Sequence, residues 1–187
     1  MRLVIMGPPG AGKGTQAQVV AVELGVPHIS TGDIFRANVD RGTPLGEEAQ
    51  RYMSAGEYVP DSITNAMVRD RLSQEDCTPG FLLDGYPRTL EQVNELDMML
   101  LADEHRIDRV IELTVDTDAV VARLLKRAEE QGRSDDTAEV IRRRLEVYFD
   151  QTAPLTAVYT QRGLLVRVDG MGAVPDVTGR ILAAVTA

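Results

Sequence analysis

The chain has one cysteine, two histidines, no surplus of positive charge and no stretch of about 18 uncharged apolar residues. Each shortage excludes a class of chemistry. Cys77 alone cannot form an internal disulfide or a multi-cysteine zinc site, so it is expected to be a free thiol that fills space. His28 and His105 belong to no cysteine or carboxylate cluster at metal-ligand spacing and read as packing or surface residues. Met1 leads straight into a strand pattern with no charged leader or cleavage site, which together with the missing apolar run predicts a soluble, cytoplasmic protein with no membrane partner. The formal charge of −9 opposes a broad nucleic-acid footprint, which would have to overcome its own repulsion. Any anionic ligand must therefore meet local positive charge. Internal repeats and low-complexity segments are also missing.

What is present is globular material. At 187 residues and 43% hydrophobic content the chain can bury one sizeable core, so a single domain over residues 1–187 is expected, with the seven methionines as core filler. Short apolar runs bounded by turn residues occur at Leu3 to Met6, Val26 to Ile29, Phe81 to Leu83, Val110 to Val115 and Leu164 to Val168, with helix-length segments between them. Strands alternating with helices predict an α/β fold whose mostly parallel sheet is covered on both faces. Boundary chemistry agrees: Thr43 then Pro44 reads as an N-cap with proline at the first helical position, Thr89 and Gln92 have capping-box spacing, and Gly25 can end the first helix. Two segments break the alternation. Thr31 to Val59 has helical patterns and no clear strand, and Ala128 to Asp136 reads as a polar loop between two arginine-bearing helices.

The stretch GPPGAGKGTQ, Gly7 to Gln16, follows the apolar run directly and fits GxxxxGK between a buried strand and an amphipathic helix carrying Ala17, Val20, Ala21 and Leu24. Its glycines let backbone N–H groups surround an anion, the helix N-terminus points at it, and Lys13 adds a point charge. A dinucleotide fingerprint fits less well: Gly10 and Gly12 begin GxGxxG, but Thr15 stands where the third glycine belongs. Most phosphate loops follow lysine with a hydroxyl that binds Mg²⁺; here Gly14 intervenes and the hydroxyl comes one position late.

That departure, followed by STGDIFR (Ser30 to Arg36), GFLLDGYPRT (Gly80 to Thr89), TAPL (Thr152 to Leu155) and VDG (Val168 to Gly170), resembles adenylate kinase over nearly the whole chain. The resemblance implies reversible phosphoryl transfer between MgATP and AMP to give two ADP. It also implies a P-loop core on a five-stranded parallel sheet, an AMP-binding insertion over residues 30–59 and a short lid over 127–136. The protein is then expected to be a monomer whose partners are the small-molecule nucleotides. Such transfer needs two nucleotides held in line, charge neutralised and water excluded. Six arginines fall within 22 residues of an acidic chain: Arg123, Arg127, Arg133, Arg142, Arg143 and Arg144. Arg123 and Arg127 share a helix face by their spacing, whereas Arg142 and Arg143 read as a solvated face.

The family pattern implies catalytic roles for Lys13, Arg88, Arg123, Arg127, Arg133 and Arg144. ATP is expected at Gly10, Ala11, Gly12, Lys13, Gly14, Thr15, Arg123, Arg127 and Gly172. AMP is expected at Thr31, Arg36, Glu57, Tyr58, Val59, Gly85, Tyr86, Pro87, Arg88, Gln92, Arg133 and Arg144, with Thr31 and Gln92 toward the adenine and the backbone around Tyr58 lining the pocket. The carboxamide of Gln92 offers the donor and acceptor pair that an adenine edge requires, where related pyrimidine kinases carry asparagine. Asp84 ends a buried strand beside the phosphate loop and is expected to meet Mg²⁺ through water, with Thr15 open as a direct ligand. Asp135 and Asp136 either cap the following helix or orient lid arginines. Tyr86 stands where the family often has phenylalanine, a change expected to be tolerated. No cysteine or histidine of the lid could bind zinc. A pyrimidine-monophosphate kinase is the nearest alternative; a GTPase switch lacks its NKxD motif.

Overall fold

The computed structural model describes residues 1–131 and 137–186, with backbone alone at 117 and 127–131. The described residues form a five-stranded parallel sheet, β1 (Arg2–Met6), β2 (His28–Ser30), β3 (Phe81–Asp84), β4 (Arg109–Thr114) and β5 (Leu165–Asp169), in the order β2-β3-β1-β4-β5. Successive side chains of β1 go to opposite faces: Leu3 and Ile5 join one apolar cluster with α1 (Lys13–Leu24) and α9 (Val174–Thr186). Val4 and Met6 join the other with α5 (Leu90–Leu101) and α8 (Leu155–Gln161). Because both faces are covered, the strands read as continuous apolar runs.

Between β2 and β3 the chain makes three helices: α2 (Thr31–Asp40), α3 (Pro44–Ser54) and α4 (Asp61–Leu72). The first two hold a small core of their own around Phe35, Ala49 and Val59. They meet at Gly46, where a Cβ would lie 2.2 Å from the Asn38 carbonyl oxygen, so only glycine fits between them. Caps follow the local code: Thr43 accepts from the Gly46 N–H and Thr89 from the Gln92 N–H. Gly25 closes α1 at φ 66°.

Two expectations change. β2 begins at His28, two residues later than the apolar run, because the Val26 N–H is already bonded to the Ala21 carbonyl in the cap of α1. The helix carrying Arg123 and Arg127, α6 (Thr117–Gln131), continues through 128–131, where a loop was expected; α7 (Ala138–Val147) follows. Residues 132–136, with Arg133, Asp135 and Asp136, lie outside the described residues, as does the side chain of Arg127. Among the described residues no helix is long and apolar enough to cross a membrane.

Candidate active site

β1 and β3 end side by side, with Ile5 in register with Asp84, and ligands of open α/β sheets sit outside such carboxyl ends. The glycine loop turns β1 into α1. At Gly10, with φ 84°, a Cβ would lie 2.8 Å from Leu124 and 3.0 Å from the Val120 carbonyl, so the loop packs on α6 only without a side chain. Gly12 caps α1 at φ 90°, which leaves the first N–H groups of the helix facing the loop's concavity. Lys13 donates from Nζ to the carbonyls of Gly7 at 2.8 Å and Pro8 at 3.1 Å, closing the loop on itself. Ala11 is buried and Thr15 is exposed.

One cleft collects most of the remaining candidates. Lys13 from the loop, Thr31 and Arg36 from α2, Glu57, Tyr58 and Val59 after α3, the turn Gly85, Tyr86, Pro87 and Arg88, Gln92 from α5 and Arg144 from α7 all line it. Gly10, Gly12, Gly14 and Thr15 stand at the mouth of α1, outside this lining. Arg123 lies across from the loop after β5, its guanidinium 3.7 Å from Met171 Sδ next to Gly172. The structure therefore separates an arginine on the α6 side from those on the α2, β3 and α7 side.

Inside the cleft the polar groups are held by one another. Thr31 donates to the Gly85 carbonyl at 2.9 Å, and Arg88 Nε donates to the same oxygen at 2.7 Å. Gly85, at φ 81°, has no room for a side chain, since a Cβ would come 2.8 Å from both partners. The Arg88 guanidinium stacks 4.9 Å over the Tyr58 ring, so Tyr58 contributes its side chain as well as its backbone. The Tyr58 hydroxyl meets Thr152 Oγ1 at 2.7 Å, and Thr152 donates to the Arg88 carbonyl at 2.8 Å. Arg36 is paired with Asp33 at 2.5 Å. Burial pushes the Asp33 carboxyl up, but the hydrogen bond and charge of Arg36, with the Ser30 hydroxyl, hold it below the ordinary carboxylate value.

Gln92 differs from a capping-box partner. It is 1% exposed, its Oε1 accepts the Arg88 N–H at 2.7 Å and its Nε2 donates to Asp61 Oδ1 at 2.6 Å, with no bond back to Thr89 N–H. The sequence marks Thr152 and Asp33 only as members of motifs and gives no site role to them or to Asp61. Arg143, read as a solvated face, pairs through Nε with Glu57 at 2.6 Å and so joins α7 to the edge of the cleft. His28, read as packing, brings its buried Nε2 to 3.5 Å from Asp84 Oδ2 with no hydrogen-bond partner. Tyr86, 1% exposed, spends its hydroxyl on Asn65 Oδ1 at 2.8 Å.

Comparison with known proteins decides the family. The family model described as adenylate kinase matches residues 5–164. An adenylate kinase of a Nocardioides species is 62% identical over 184 residues, covering 98% of this chain and 96% of that protein. One from Kocuria rhizophila is 63% identical over 183 residues, 98% of this chain and 97% of its own. The chain belongs to the adenylate kinase family. For an adenylate kinase a divalent cation travels with the nucleotide, and the donor set fits Mg²⁺. A Cβ on Gly14 would stand 3.6 Å from Asp84 Oδ2, which puts a hard carboxylate oxygen directly beside the loop. Among the described residues no group of three or more His, Cys, Asp or Glu is arranged to hold a metal, so an ion there would depend on phosphate and water for its ligands.

Proposed function

We propose that the chain catalyses reversible transfer of a phosphoryl group from MgATP to AMP, giving two ADP, by direct in-line attack without a covalent enzyme intermediate. The observation that carries this reading is a cleft in which the phosphate-loop lysine and the arginines Arg36, Arg88 and Arg144 converge on one space. A donor phosphate at the N-terminus of α1 and an acceptor phosphate between Arg36 and Arg88 would face each other across that space. AMP occupies the α2, α3 and β3 side, its base toward Thr31, Val59 and Gln92, and residues 30–59 form the insertion that holds it. ATP occupies the loop from Gly10 to Thr15 and extends toward Arg123 and Gly172. Mg²⁺, when bound, neutralises charge on the ATP phosphates, and Asp84 would hold it through water. Arg127 and Arg133 act from the segment 127–136, closing over the phosphates and excluding water.

The protein's own groups do the chemistry by position. Guanidinium forks grip phosphate oxygens bidentately, which a lysine point charge cannot, while Lys13 exchanges its bonds to the Gly7 and Pro8 carbonyls for the transferring group. Nucleotides are the only partners this reading needs, and it takes the enzyme as a cytoplasmic monomer. The test is ADP formation from a panel of donor and acceptor nucleotides, with Lys13→Met beside the native chain. The panel should favour ATP with AMP, and the variant should lose about 10²–10³ in turnover, the scale of a lost electrostatic stabiliser, while its melting curve is kept. A folded Lys13→Met with native turnover, or a preference for a pyrimidine acceptor, would refute the reading.

A further inference from the structure

The carboxamide of Gln92 is held between two partners of fixed polarity: the Arg88 backbone N–H, which can only donate, and the Asp61 carboxylate, which accepts. Turning the amide over would set NH₂ against N–H and oxygen against carboxylate. Asp61 is the first residue of α4, 31 residues from Gln92 in sequence, and is not among the residues that line the cleft. Its other oxygen accepts the Thr89 hydroxyl at 2.8 Å, and Thr89 in turn caps α5 under Gln92, so the carboxylate is itself held in place. An amide can make about four hydrogen bonds; with these two committed, one N–H and one lone pair remain for a ligand, in a set order.

That order matters for a purine. A 6-aminopurine presents an N6–H donor beside the N1 acceptor, whereas a 6-oxopurine presents an O6 acceptor beside an N1–H donor, the same positions with polarity reversed. An amide free to turn over would serve either base. We propose that Asp61 is a positioning residue that locks the Gln92 carboxamide in one orientation and thereby makes the acceptor site choose 6-aminopurine over 6-oxopurine monophosphates. This rests on the reading that Gln92 meets the acceptor base.

Asp61→Asn is the decisive substitution, because an amide at 61 can turn together with Gln92 and still bond Thr89, which removes one of the two locks and leaves only the Arg88 N–H against the turned amide. In the full chain, with ATP as donor and AMP or IMP as acceptor, the variant should raise KM for AMP and reduce the AMP-to-IMP ratio of kcat/KM about tenfold or more, the scale of one charge-assisted bond. KM for ATP should stay. Asp61→Ala, read by the same ratio, covers failure of the first variant to fold. Thr89→Ala removes the cap and the other Asp61 bond; it should lower the melting temperature and keep the ratio. Gln92→Ala separates the two layers of reasoning. If it weakens AMP and ATP alike, Gln92 is not at the acceptor base and the reading beneath the proposal fails. If it weakens AMP selectively while Asp61→Asn and Asp61→Ala keep the native ratio, the locking role of Asp61 alone is overturned. A ratio moved equally by Thr89→Ala would assign the effect to the helix cap and also overturn it.

Discussion

Tyr86→Phe tests whether the cleft's rear wall is held by polar bonds or by packing alone. The ring is buried at 1% exposure among Val93, Leu96 and Tyr159, and phenylalanine keeps that packing while deleting only the hydroxyl. A hydroxyl has one proton, and its better bond goes to Asn65 Oδ1 at 2.8 Å, the Gln92 carbonyl lying farther away at 3.3 Å. Burial, with the nearby Asp61 charge, pushes the phenol well above its ordinary value, so it remains a donor through neutral and mildly alkaline solution. Removing it strands the Asn65 carbonyl oxygen, in a residue 8% exposed, and a buried acceptor left without its partner costs about 1–3 kcal/mol. At about 2–4 °C per kcal/mol for a domain of this size, a mid-range loss of about 2 kcal/mol lowers the melting temperature by about 4–8 °C.

The double variant Tyr86→Phe with Asn65→Leu sharpens the test, since removing both partners of a buried bond is nearly neutral where removing one is costly. Thermal unfolding without nucleotide should therefore place the double variant above the sum of the two single losses by about 1 kcal/mol or more. A native melting temperature for Tyr86→Phe, or strictly additive losses, would show that the hydroxyl holds nothing, and that the turn bearing Arg88 is fixed by packing.

Gln92→Asn should raise KM for AMP more than KM for ATP, because a shorter amide misplaces paired hydrogen bonds worth about 1–3 kcal/mol; equal effects in the ADP assay would move the residue away from the acceptor base. Gly46→Ala gains about 1 kcal/mol of helix propensity. It also drives a methyl group to 2.2 Å from the Asn38 carbonyl oxygen and 2.5 Å from the Val39 nitrogen. Backbone cannot rotate aside as a side chain does, so overpacking at the upper end of its range, about 3 kcal/mol, outweighs the gain. Melting should fall by about 4–8 °C with KM for AMP rising most, and an unchanged melting curve would contradict the tight α2–α3 contact.

The sequence was most legible where a short contiguous segment answers to one physical demand. A phosphate imposes glycine, N–H groups and one cation on consecutive residues, so Gly7 to Lys13 could be read directly. Strand edges held within one or two residues, most closely where the apolar runs of β1 and β3 are buried on both faces. The misses have local causes. At Val26 and Pro27 the apolar run continues while one amide is used by the helix cap and the next residue lacks one. At Ala128 to Gln131, polarity suggested a loop, yet Ala, Glu, Glu and Gln are all good helix formers, and propensity prevailed. The supporting polar layer was not legible for a different reason. Asp61 and Gln92 are 31 residues apart, and Tyr58 and Thr152 are 94 apart. No periodicity encodes such pairs; they exist because α4 packs on α5 and because the chain after α7 returns to the turn bearing Arg88. Residues facing a ligand are thus written in local chemistry, whereas the residues that orient them are written in topology. That is why the family resemblance and a carboxamide were enough to propose a base for Gln92, while the carboxylate bonded to that amide could be found only in the folded chain.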